Sequence, residues 1–482
     1  MTNRFRGNDR LLFGMIFGVL TFWLFAQTTL NVAPKMQKDL GIDSATMNIA
    51  VAITALFSGI FIVFVGGLAD RFGRVKIVMG GFVLSIIGSL IVGFSPSGSL
   101  AAIFLLSGRA LQGLSAACIM PASLALLKAY WDGGARQRAI SMWSIGSWGG
   151  SGFCSLFGGF VAQTFGWRWI FFSSVFVGLL GIALVKGTPE SRGDVQQSGK
   201  FDVAGLLSFM VAMISLEIIV TQGSIMGWAS PAVIALCVLA GMFGWLFFRI
   251  ESRSSNAFVD FRLFRNLTYT GATLSNFLLN ATAGTLLVSL QLVQIGGNMT
   301  AQQAGLLTLG YAIAIVMFIR VGEGLLKRFG ARRPMILGCA ITGVAIMLLL
   351  PTNMMLGRYE AFAIVGYTLY GIGLAFYATP STDAALSSLP GAQVGSGSGI
   401  YKMASSLGAA FGVAISAAIF SALSANPKAV NWLEGVITFQ GRQDNLAVRQ
   451  AALFALAFNV VMVVVAIVAI LRTVSRGRVS AS

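Results

Sequence analysis

Three charged residues stand inside apolar runs with no opposite charge close by in sequence: Arg109 in LLSGRALQG, Glu217 in ISLEIIV and Asp383 in ATPSTD. An ionisable group in such a run faces protein or a wet cavity, and marks an ion or substrate path by default. Asp383, beside Pro380, has no basic residue within a turn and suits a carrier of protons. Arg109 lies about 12 Å along its helix from the outer end and offers charge to match it. Glu217 is the other carboxylate of this kind, although its place in a hairpin outside the repeat argues for local pairing or protonation in place. Asp383, Arg109 and Glu217 thus form the candidate proton-coupling set. Other chemistry is poorly supplied. The chain has no histidine, which removes imidazole relays and His-ligated metals. No metal cluster or nucleophile–base pair is apparent, so neither an enzyme nor a cofactor is expected. Cys118, Cys154, Cys237 and Cys339 all fall in apolar runs, against a disulfide framework.

A second constellation is GGLADRFGRVK at Gly66–Lys76, between the apolar runs Val51–Val65 and Ile77–Val92. It reads as a short interfacial loop whose glycines permit a tight turn. Asp70 is expected to meet a helix N-terminus, where the backbone dipole favours a carboxylate, near Lys402. The motif returns as EGLLKRFGARR at Glu323–Arg333, with Arg71-Phe72-Gly73 and Arg328-Phe329-Gly330 257 positions apart. Gly66, Asp70, Arg71, Gly73, Arg74, Glu323, Arg328 and Lys402 are the candidate gate. Polar and aromatic side chains on apolar helices supply candidate substrate contacts: Gln27, Thr28 and Asn31, then Gln112 and Met120, then Trp143 and Trp148. Their second-half counterparts are Asn276, Asn280, Tyr377, Tyr401 and Met403.

The elements that position these residues follow from composition. The 482 residues are 56% hydrophobic and 10% charged, with mean hydropathy +0.83, and apolar runs of about 20 residues recur throughout. An all-α integral membrane protein of fourteen helices is predicted. They fall near 11–33, 46–66, 77–96, 101–124, 138–163, 168–186, 202–222, 231–249, 268–293, 303–322, 335–351, 361–385, 397–423 and 451–472. Helix 1 is read as retained, being too long for a signal-peptide core. With both termini cytoplasmic, most of the Lys and Arg residues fall on the inner side. The net charge of +17 is therefore topological, and nucleic acid is not expected as a partner. Pro121 and Pro380 repeat at a spacing of 259, which supports two related halves. The expected domains are an N-terminal six-helix bundle (1–201), an extra hairpin (202–249), a cytoplasmic connector (250–267) carrying FRLFR, and a C-terminal six-helix bundle (268–482). Gly146, Gly150, Cys154 and Gly158 form a small-residue seam, expected to pack helix 5 closely against a neighbour.

Two six-helix halves with one motif between their second and third helices resemble the major facilitator superfamily. GGLADRFGRVK is similar to that family's loop signature. Leu105, Arg109, Gln112 and Gly113 match its helix 4 signature, L-x-x-x-R-x-x-Q-G. The extra hairpin is similar to the fourteen-helix drug:proton antiporters of the QacA type. TFWLFAQ, SIGSWGGSG, NFLLN, ATPSTD and GIYKMAS look most like the NorB-type quinolone exporters. Two places depart from the pattern. The antiporter signature of helix 5, G-x-x-x-G-P-x-x-G-G, survives as Gly150, Gly158 and Gly159, with Cys154 and Ser155 at its centre; and Ala26 stands where many relatives carry an acid. The resemblance implies proton-coupled export of amphipathic drugs, quinolones included, by alternating access. The few intramembrane acids favour neutral or zwitterionic amphiphiles. It also implies a monomer in the bacterial cytoplasmic membrane, with protons, small solutes and lipid as partners. The alternative is proton-coupled uptake of an organic anion at Arg109.

Overall fold

The computed structural model describes residues 5–193, 202–254, 261–299, 301–354, 356–390, 393–425, 437–440 and 445–475. The side chains of Asn31 and Glu217, both singled out from the sequence, lie outside the described residues. The regular structure described is helical. In chain order the main helices are α1 (Asp9–Ala26), α2 (Ser44–Phe72), α3 (Arg74–Gly93), α4 (Ala101–Tyr130), α5 (133–164), α6 (Arg168–Val185) and α7 (Val203–Met226). There follow α8 (Pro231–Arg253), α9 (Leu267–Gly296), α10 (Gln303–Phe329), α11 (Arg332–Leu349), α12 (Leu356–Ser387), α13 (Val394–Ala425) and α14 (Leu446–Thr473). All but α5 and α7 are, among the described residues, long and apolar enough to cross a membrane.

Local chemistry sets the helix ends. Asn8 caps α1 by accepting from the Leu11 amide at 2.9 Å, and Asp43 caps α2 through the Thr46 amide at 2.6 Å. The Gly66–Lys76 motif departs from its reading as a loop. α2 runs on through Phe72, and Gly73 alone, at φ +124°, separates it from α3. Hydropathy falls after Val65, but the backbone hydrogen bonds continue until a residue adopts a conformation that other side chains rarely reach. Pro121 and Pro380 both sit within continuous helices, which neighbouring groups in a packed bundle permit.

The chain forms two compact units. The first comprises Met1–Met213, Met242–Thr270 and Thr382–Met403, and the second Ile214–Gly241, Gly271–Ser381 and Ala404–Ser482. α4, in the first unit, is a central helix: 78% of its most apolar 18-residue stretch is buried, against 11% for that of α8. With most of its residues exposed, α8 has the exposure expected of a lipid-facing helix. The seam of α5 behaves as predicted. Gly146 and Gly150 lie against Ile16 and Leu20 of α1, and Gly158 against Thr28 just beyond it, where the Thr28 hydroxyl donates to the Cys154 carbonyl at 3.0 Å.

Candidate functional site

The α2–α3 joint is a closed network. Asp70 and Arg74 are both buried, and Asp70 Oδ1 accepts Arg74 Nε at 2.9 Å and Nη2 at 2.7 Å. Arg74 also donates Nη1 to Ser191 Oγ at 3.2 Å, and its amide to the Ser191 carbonyl at 2.9 Å. The Gly193 amide returns to the Asp70 carbonyl at 2.9 Å. Glu190 completes the joint. Its two carboxylate oxygens accept from the amides of Val75 at 2.8 Å and Lys76 at 3.1 Å. These are orphan donors in the first turn of α3, where Gly73 has no side chain to cap them. A Cβ on Gly73 would stand 2.5 Å from the Glu190 carboxyl carbon. The glycine is thus needed both for its φ and for the room it leaves.

Arg109 is buried in α4, 1% exposed. Its Nε donates to the Ala50 carbonyl at 3.0 Å, and its Nη1 to the Ala26 carbonyl at 2.7 Å and Gln112 Oε1 at 2.9 Å. Gln112 passes the chain on to Ser89 Oγ at 3.1 Å. Groups of α1, α2 and α4 therefore converge on one guanidinium, and α3 joins through Gln112. The Ala26 carbonyl belongs to a π-helical turn, Thr21–Ala26, where the i→i−4 pattern is interrupted. Among the described residues Arg109 has no carboxylate partner within 4.0 Å.

Asp383 is instead 3.4 Å from Arg136 at the start of α5. The distance defines an ion pair, but neither Asp383 Oδ1 nor Arg136 Nε has hydrogen-bond geometry there. Lys128 of α4 donates to the Leu386 carbonyl at 2.6 Å and also to the Leu389 carbonyl, fastening the end of α12. Ser398 of α13 donates to the Pro121 carbonyl at 3.1 Å. All of these contacts lie within the first unit. Sequence reasoning missed Arg136, Lys128 and Glu190. The first two look like ordinary inner-face bases, and Glu190 sits in a polar tail whose docking only the tertiary fold decides.

Lys402 is 3% exposed, and its Nζ stands 4.7 Å from the ring centroid of Trp143. Trp143 is itself buried, with its indole N–H donating to Ser123 Oγ at 2.9 Å. The ring face returns about 2 kcal/mol to a desolvated ammonium, while burying the charge costs several kcal/mol. Asp70 is not its partner: the ion pair of Asp70 is with Arg74.

The remaining candidates divide by unit. In the first, Thr28 and Met120 are buried, Gln27, Trp148 and Met403 are half-buried, and the Tyr401 hydroxyl lies 3.3 Å from Thr382 Oγ1. In the second, Asn276 donates to Ser405 Oγ at 2.6 Å, and Asn280 to Asn276 Oδ1 at 2.9 Å. The Tyr377 hydroxyl pairs with Ser275 Oγ at 2.7 Å. Glu323 is buried and accepts Lys327 Nζ at 2.5 Å, with Arg320 as a second partner. Arg328 is exposed, its guanidinium 5.2 Å from the Phe329 centroid.

Among the described residues twelve helices are long and apolar enough to cross a membrane, the mark of a multi-pass membrane protein. The chain belongs to the Major Facilitator Superfamily, which it matches over residues 11–263 and 266–476; it is a transporter. It is 48% identical over 420 residues to the quinolone resistance protein NorB of Staphylococcus aureus strain MRSA252, covering 87% of this chain and 90% of that protein. The protein of the same name in strain MW2 is 48% identical over 421 residues, with the same coverage. Among solved structures, the proton:xylose symporter XylE bound to 6-bromo-6-deoxy-D-glucose superposes with a TM-score of 0.66 at 15% identity. It covers 97% of this chain and 96% of that one. At that identity the likeness concerns the fold alone.

Proposed function

We propose that this chain is a proton-coupled multidrug exporter of the bacterial cytoplasmic membrane, moving amphipathic drugs such as quinolones outward by alternating access. The observation that carries the reading is its 48% identity, over nearly the whole chain, to quinolone resistance proteins. In this reading α5 and α7 also cross the membrane. Glycine, serine and tryptophan lower the hydropathy of α5 without making it unfit for a packed interior. Fourteen spans then divide as six, two and six, over 1–201, 202–249 and 268–482 with the connector 250–267. Both termini are cytoplasmic, and the transporter works as a monomer.

Asp383 is assigned the coupled proton, with Arg136 as its counter-charge. Protonation removes the carboxylate charge and weakens the hold of Arg136, so the proton and the α5–α12 contact are linked. The Asp70–Arg74 joint, with Arg71, Glu323 and Arg328, acts in the gate. Thr28, Gln112, Trp143, Asn276, Tyr377 and Tyr401 are among the residues assigned to solute contact. Uptake of an organic anion at Arg109 has less in its favour, because three of that guanidinium's bonds go to carbonyl oxygens of its own bundle. The test is purified protein in liposomes with an imposed pH gradient and a panel of dyes, quinolones and organic acids. Solute movement against the direction of proton flow supports export. Co-movement of an organic acid with protons supports uptake.

A further inference from the structure

We propose that Lys402 is the point at which the transporter recognises a carboxylate on its solute, and that aromatic carboxylates are therefore a preferred substrate class. The inference rests on the drug-export reading above. An ammonium presents three donors and accepts nothing. The ammonium of Lys402 is buried, yet the partner found for it among the described residues is the face of Trp143, 4.7 Å away. No carboxylate of the described residues stands within 4.0 Å of it.

Several ionisable groups on helices of the first unit are otherwise engaged. On α12, Asp383 is paired with Arg136 of α5, and Arg138 of α5 with Asp9 of α1. On α4, Lys128 is held by the carbonyls of Leu386 and Leu389, and Arg109 by those of Ala26 and Ala50. At the end of α2, Asp70 is paired with Arg74 of α3. Among the described residues Lys402 is thus the buried base left short of an oxygen acceptor.

A carboxylate arriving on a solute supplies that acceptor. As the ammonium turns toward it, the indole face of Trp143, still anchored to Ser123, is released to receive the solute's planar ring. The pair therefore selects for a negative charge beside an aromatic surface. Arg109 of α4, by contrast, already spends Nε and Nη1 on acceptors of its own bundle.

The experiment compares a fluoroquinolone with its methyl ester in proteoliposomes under a pH gradient, and reads the ratio of kcat/KM for acid over ester. In the wild type the acid is preferred. In Lys402→Met the ratio is expected to fall at least tenfold, whatever the overall rate, while Lys402→Arg keeps the preference. If Lys402→Met does not assemble, Lys402→Gln gives the same ratio. An unchanged ratio, equal losses for acid and ester, or a wild type indifferent between the two overturns the inference while leaving export standing. A wild type that moves neither compound outward contradicts the export reading itself.

Discussion

At the end of α2 the acid Asp70 reaches across Gly73 to Arg74, the first residue of α3. At the end of α10, Glu323 instead reaches one turn along its own helix to Lys327. The two joints share the RFG step and a glycine at positive φ, +124° at Gly73 and +73° at Gly330. Their charges are placed differently. By the 257-residue offset, Glu323 stands at the position of Gly66, Lys327 at that of Asp70, and Ala331 at that of Arg74. The second joint therefore has no base beyond the break at the position where Arg74 closes the first. α11 is instead fastened to α14, where Arg332 donates to the Leu471 carbonyl at 2.6 Å. A repeat can thus keep its backbone turn while moving the ion pair from between helices to within one. Only the first arrangement ties helix orientation to a charge.

That difference is open to direct attack. Asp70→Ala leaves Arg74 buried without its carboxylate. It is expected to destabilise the protein by about 3 kcal/mol, as for other broken buried pairs, and to shift cysteine accessibility between the two membrane faces. A thermal-unfolding series in detergent, with accessibility labelling in vesicles, measures both. Full stability and unchanged labelling would remove the joint from the gate. A smaller effect is expected from Glu190→Gln, which keeps the shape but weakens the two bonds capping α3. The loss of a good cap is worth about 1 kcal/mol, read as a lower unfolding temperature. The smallest belongs to Glu323→Gln. Its partners Arg320 and Lys327 are 45% and 46% exposed, and pairs with such solvent access contribute under about 1 kcal/mol. A Glu323→Gln variant as impaired as Asp70→Ala would show that the two joints are equivalent after all.

Much of this architecture is legible in the residues. Apolar runs of membrane length and the recurrent RFG locate the helices and their two-fold repetition before any coordinates. Hydropathy alone misplaces the boundaries, because it reports where lipid ends and not where backbone hydrogen bonding ends. It reads Gly66–Phe72 as loop, although that stretch is helix. Arg109 was visible as a deep charge, but its bonds to the Ala26 and Ala50 carbonyls depend on two other helices. Asp383 has no base within a turn of sequence, and only packing supplies Arg136. Glu190 follows the same rule, since its use as a cap for α3 depends on a glycine more than a hundred residues earlier.

Proton coupling through Asp383 is tested most directly in proteoliposomes by comparing gradient-driven accumulation with solute exchange at equal pH. If Asp383 carries the proton, Asp383→Asn abolishes accumulation driven by the gradient while exchange of labelled for unlabelled solute continues, and Glu217→Gln retains both. Gradient-driven accumulation surviving in Asp383→Asn and lost in Glu217→Gln would contradict the assignment and move the proton to α7.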